Sequence, residues 1–171
     1  MKISQGSKAF LLFLTLYSAV AYSTPAEATP VVVEAAGVTR GNGHIALNIR
    51  FWNCANKSIT VNSGLLPWGQ MTTGLIVYKG AGLGKELHAS YPVSDPVLRD
   101  VAIDAGGYVV GALNLDVTFT ELESAKHLED LVVFWVYDAK VTGIPSAGKF
   151  GGMLPLLKTL SAADGNASPC R

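Results

Sequence analysis

His44, His88 and His127 are the three histidines of this chain and its best-suited groups for proton transfer or metal binding at neutral pH. A hydrolase would set one of them between a nucleophilic hydroxyl and a carboxylate. A zinc site would need a pair of them at short fixed spacing, as in H-E-x-x-H. Neither pattern is written in the sequence. His127 is followed by Leu128-Glu129, which is not a zinc motif, and His44 and His88 have no second histidine nearby. Ser146 stands in Gly143-Ile144-Pro145-Ser146-Ala147-Gly148, which lacks the glycine spacing of the G-x-S-x-G elbow. The enzymatic expectation is therefore narrow: a secreted hydrolase whose site is assembled in space around His44, His88 or His127.

Other chemistry is excluded by spacing. Gly80-Ala81-Gly82-Leu83-Gly84-Lys85 resembles a phosphate loop, but its glycines alternate, and Glu86 follows the lysine where a P-loop has Ser or Thr. A carboxylate there repels phosphate, so the segment reads as a flexible connection. Asp95, Asp100 and Asp104 could offer oxygen ligands to calcium, yet without EF-hand spacing they read as turn and loop polarity. No cofactor and no metal are expected.

Leu65-Leu66-Pro67-Trp68 is a different kind of candidate. It is apolar where strand alternation stops. Leu65, Leu66 and Trp68 form either an exposed binding patch or a plug that seals one end of the core. Trp68→Ala separates the two: a plug loses stability, a patch loses its partner. Trp135, inside an apolar strand, is a core residue. Trp52 faces away from Ile49 and Phe51, so it is packed against a second layer or lies at the surface.

The elements that must position these residues begin with an address. Lys2 and Lys8 precede an uncharged apolar run over residues 9–22, and small residues follow at cleavage-compatible spacing around residues 19–23. That order defines a secretory signal peptide over residues 1–23. About 150 residues remain, enough for one domain with its own core. The organisation expected is a β-domain over residues 24–160 and a polar tail over 161–171, with localisation secreted or periplasmic. Lys plus Arg number 13 and Asp plus Glu number 13, which removes the electrostatic case for nucleic acid. No apolar stretch after the signal is long enough for a membrane helix. The polar tail is no lipid-anchor signal. Cys54 and Cys170 are the two cysteines, and in an oxidising compartment they are expected to pair. Asn56-Lys57-Ser58 and Asn166-Ala167-Ser168 match the glycosylation sequon, which has meaning only in a eukaryotic host.

The mature chain reads as short strands closed by Gly, Pro, Asn or Asp. Val31-Val32-Val33 opens one, and Gly41-Asn42-Gly43 supplies hairpin chemistry. Ile45, Leu47, Ile49 and Phe51 then alternate with Ala46, Asn48, Arg50 and Trp52, the period of a half-buried strand. Further strands are expected over residues 58–62, 71–79, 86–91, 97–103, 108–115, 131–138 and 150–157. Residues 131–138 (LVVFWVYD) are apolar at both parities, which predicts a central strand covered on both faces. A single short helix is predicted over residues 120–130, with capping-box spacing from Thr118 to Glu121. This pattern fits an all-β, antiparallel β-sandwich, with a small barrel as the competitor.

Phe51-Trp52-Asn53, a polar turn and Lys57-Ser58-Ile59-Thr60-Val61 resemble an arrangement found in secreted bacterial immunoglobulin-like sandwiches. Asp104-Ala105-Gly106-Gly107 before a strand, and an apolar strand from Val132 to Tyr137, continue the likeness. The bacterial proteinase-inhibitor sandwich is similar in style. The resemblance implies an immunoglobulin-like fold and, in its second form, an inhibitor module. It carries no inhibitory loop onto particular residues, and the cysteines are not at the immunoglobulin inter-sheet spacing. The function expected is therefore an exported, non-enzymatic module that binds a protein or envelope partner.

Overall fold

A computed structural model describes residues 30–41, 43–69, 72–80, 84–91, 97–124, 128–144, 147–156 and 168–170. The strands are β1 (Val31–Gly41), β2 (His44–Asn53), β3 (Ile59–Asn62), β4 (Thr73–Lys79), β5 (Lys85–Glu86), β6 (Asp100–Ile103), β7 (Tyr108–Asn114), β8 (Leu131–Asp138) and β9 (Lys149–Pro155). Every strand pairing is antiparallel. One sheet has the order β1-β2-β7, a second β5-β4-β8-β9, and β3 pairs with β6 in a ribbon. The fold is all-β.

The period-two pattern decides which faces meet. Ile45, Leu47, Ile49 and Phe51 of β2 and Leu131, Val133, Trp135 and Tyr137 of β8 are buried in one shared core. Phe51 meets Tyr137 edge-on, with ring centroids 6.4 Å apart. That contact joins the central strands of the two larger sheets. The β1–β2 hairpin turns where the Asn-Gly pair predicts, with Gly41 opposite His44 and Gly43 at φ +82°.

Cys54 and Cys170 form a disulfide, with Cα atoms 5.0 Å apart. It closes a loop of 116 residues, worth about 5 kcal/mol in the chain-entropy account. Beside it Asn53 is fully buried and fully used. Its Nδ2 donates to the carbonyls of Lys57, Ile103 and Asp104, and its Oδ1 accepts from the Ala55 N–H. The sequence marked residues 53–57 only as a turn; the structure makes Asn53 the clasp between two turns.

Four expectations change. Where a helix over 120–130 is predicted, the described residues hold a 3-10 turn over Thr120–Leu122, preceded by a four-residue helix, α1 (Leu115–Thr118); residues 125–127 lie outside the described residues. The Glu121 carboxylate does not close a capping box; it pairs with Lys85 Nζ at 3.0 Å and accepts from the His88 N–H. The strand expected over 86–91 shrinks to Lys85–Glu86, because beyond it the Ser90 N–H turns to the Thr118 carbonyl. The strand expected over 97–103 begins only at Asp100, and Val97 lies outside it, 91% exposed. Finally, β8 is central in its sheet, but among the described residues it is covered on one face only.

Candidate binding face

Among the described residues, the second side of β8 presents an open apolar surface. Strand register places Gly74, Val136 and Gly151 in one row across β4, β8 and β9. Ile76, Phe134 and Met153 form the next row, and Tyr78, Val132 and Pro155 the one after. Every one of these positions is uncharged. Ile76 is 41%, Val136 57% and Met153 59% exposed. Alternation explains the geometry: successive side chains point to opposite faces, so a strand apolar at both parities shows half of its apolar residues to solvent unless a second layer covers it.

The face has relief. Val136 leans over Gly74, where an added Cβ would lie 3.0 Å from Val136 Cγ1. Gly151 brings β9 close to β8, since a Cβ there would come within 2.7 Å of the Trp135 carbonyl oxygen. Phe134 meets Tyr78 edge-on at 5.8 Å. Charge returns only at the margins. Asp138 and Lys149 stand opposite each other at one end, and Glu86 accepts from the Tyr78 hydroxyl at the other. Such a surface can bury apolar area against a partner; its only polar or ligating groups are the phenol of Tyr78 and the thioether of Met153.

The patch read from sequence is arranged differently. Leu66 is 2% exposed and belongs to the core, whereas Leu65 is 37% exposed. Trp68 is partly buried against the core. Its indole lies directly over Gly111 of β7, where any Cβ would overlap the ring. The backbone of this loop is tied down. The Tyr137 hydroxyl donates to the Leu65 carbonyl at 2.6 Å, Thr72 Oγ1 to that of Leu66 at 2.6 Å and Thr73 Oγ1 to that of Pro67 at 2.6 Å. Burial pushes the Tyr137 hydroxyl up to about 12. Trp52 is 3% exposed yet stands outside the shared core. Its Nε1 donates to Glu34 Oε1, the Tyr108 ring packs on it at a tilt of 41° with centroids 4.4 Å apart, and Arg50 pairs with Glu34. Trp135 is buried in the core as expected, although its Nε1 has no hydrogen-bond partner among the described residues.

The histidines do not gather into a site that the structure shows. His44 opens β2, and its Nδ1 lies 2.7 Å from Asp116 Oδ2 on α1. Asp116 is buried and also accepts from the Ile45 N–H. Burial alone would raise its carboxyl; the bonds from His44 and Ile45 outweigh it and hold the group below the usual carboxylate range. This pair is two parts of a triad, but among the described residues no hydroxyl bonds the other ring nitrogen of His44. His88 follows β5, while His127, Ser146 and Asp95 lie outside the described residues. Asp104 accepts from the Ser58 hydroxyl, and Lys85 is paired with Glu121. Among the described residues no cluster of three or more His, Cys, Asp or Glu could hold a metal ion, and no helix is long and apolar enough to cross a membrane.

The sequence did contain the signal for the open face. Residues 74–78 and 151–155 lack charge at the parity that pairs with Val132, Phe134 and Val136. That signal emerges only once the register is known. Comparison with protein-family models and with curated proteins finds no match to this chain.

Proposed function

We propose that this chain is an exported immunoglobulin-like β-sandwich that works by binding another protein, without catalysis, through the outer face of β4, β8 and β9. The uncharged face, with Ile76, Val136 and Met153 out in solvent, carries the reading. Monomeric soluble proteins rarely leave contiguous apolar patches without a use. The signal-like start and the Cys54–Cys170 disulfide support export, since such bonds persist in oxidising compartments.

The test uses the full chain in its native host. A photo-reactive residue at position 136 should give a defined crosslinked species in the culture fluid or envelope fraction. Met153→Glu should abolish that species, while Thr60→Lys, on the exposed side of β3, should leave it intact. Crosslinking that survives Met153→Glu, or an intact leader recovered from the cytosol, overturns the reading.

A further inference from the structure

We infer that Val97-Leu98-Arg99, directly ahead of β6, captures a serine endopeptidase with a small aliphatic specificity pocket, and that the Val97–Leu98 bond is the one it engages. The segment leads into the β3–β6 ribbon and is a second binding element, apart from the sheet that holds β4, β8 and β9. Val97 is 91% exposed, more than any other large apolar residue among the described residues. The segment lies outside every helix and strand, and among the described residues the main-chain groups of Val97 and Leu98 make no hydrogen bond. A protease cleft reads a chain through such free groups, by adding it as a strand, and reads the side chain through a pocket.

The carboxyl side of that bond is fixed. Leu98 rests over Gly64, its Cδ2 2.6 Å from where a Cβ would stand. The Arg99 N–H donates to Ser63 Oγ at 3.0 Å, and the Arg99 carbonyl accepts from the Ser63 N–H at 2.8 Å. Asp100 then enters β6 opposite Asn62, whose side chain also accepts from the Gly64 N–H at 3.0 Å. The chemistry follows from that asymmetry. The protease serine adds through its oxygen to the Val97 carbonyl carbon, and its proton passes to the protease histidine. The bond to the Leu98 nitrogen breaks, that nitrogen takes the proton, and Val97 is left as an ester on the enzyme. In a flexible substrate the amine leaves and water hydrolyses the ester. Here the amine stays beside the ester, at an effective concentration on the order of 10⁵ M for well-oriented groups, and closes the peptide bond again, returning the proton to the serine. The enzyme is occupied without turnover. The Cys54–Cys170 disulfide closes a loop that contains the bond, so a cut chain also stays joined.

The purified exported chain, titrated into pancreatic elastase with a chromogenic peptide, should give saturable, competitive inhibition with an inhibition constant at or below about 1 µM. Val97→Asp should weaken it at least about a hundredfold, as loss of a central anchor does. Val97→Arg should transfer it to trypsin, whose pocket carries a carboxylate. Val117→Asp, at another exposed apolar position, should leave it unchanged. Ser63→Ala should free the leaving side, so that mass spectrometry after reduction finds the chain cut between 97 and 98 at least about ten times faster than the natural sequence. Matching urea midpoints show that the variants are folded. Absence of inhibition at about 100 µM, inhibition that survives Val97→Asp, or a natural chain hydrolysed between 97 and 98 as fast as a free peptide overturns the inference.

Discussion

The loop around Leu65–Trp68 and the outer face of β4, β8 and β9 are both apolar, yet one is shut and the other open. In the loop, apolar side chains are matched by hydroxyls that tie down the backbone and by a glycine that seats the indole. On the sheet the backbone is already satisfied by the ladder, and among the described residues the side chains have no layer above them. The difference teaches that apolar composition alone does not mark a binding surface. What matters is whether the surrounding backbone and the facing residue were shaped to receive it.

The largest effect should come from unseating Trp68. Gly111→Ala places a methyl group inside the indole, so the loop must lift or β7 must shift. Such overpacking should cost about 3 kcal/mol in urea unfolding. Trp68→Ala alone should cost about 2–4 kcal/mol, somewhat less than a fully buried aromatic. In the Trp68→Ala background, Gly111→Ala should become nearly harmless, because the space it needs is vacant. Additive losses in this cycle would mean that the two residues do not share a seat, and the contrast between shut loop and open face would fail.

The polar locks should appear in the pH profile. The Tyr137 hydroxyl is raised to about 12 from an ordinary 10.0, so the folded state holds its proton more tightly than the unfolded chain. Its contribution is complete below pH 10 and is lost as pH rises towards 12, by up to about 2–3 kcal/mol. Tyr137→Phe should abolish that alkaline fall and lower neutral-pH stability by about 1 kcal/mol, the worth of one hydrogen bond. Asp116 acts at the other end. Its carboxyl is held below 3.8, so its contribution is present above that value and fades as pH falls further. Asp116→Asn should flatten the acid limb. Limbs unchanged in the variants would show that these groups do not hold the loop and the helix in place.

Much of the fold was legible because it rests on local signals. The alternation over β2, the Asn-Gly turn and the two cysteines each specify a neighbour or a face without reference to distant chain. The helix over 120–130 was misread because Glu121 has a better partner in Lys85, far away in sequence. Asn53 looked like an ordinary turn residue because its acceptors at 103 and 104 come from another element. The open face was misjudged for a related reason. A run apolar at both parities says that both sides are dry in a covered sheet, but coverage is a property of the whole topology, and here Val136 stays 57% exposed with no second layer over it among the described residues.

The smallest expected effect sharpens the comparison most. Val136→Lys should change unfolding free energy by less than about 1 kcal/mol, since an exposed strand position feels only β-propensity and its cross-strand neighbours. Val133, on the opposite side of the same strand, is fully buried. Val133→Ala should cost about 2 kcal/mol through lost burial and the cavity left behind. The same residue type on one strand thus separates structural from interfacial apolarity. If Val136→Lys destabilised the isolated chain as much as Val133→Ala, the outer face would be packed within the molecule itself, and no partner would be needed to account for it.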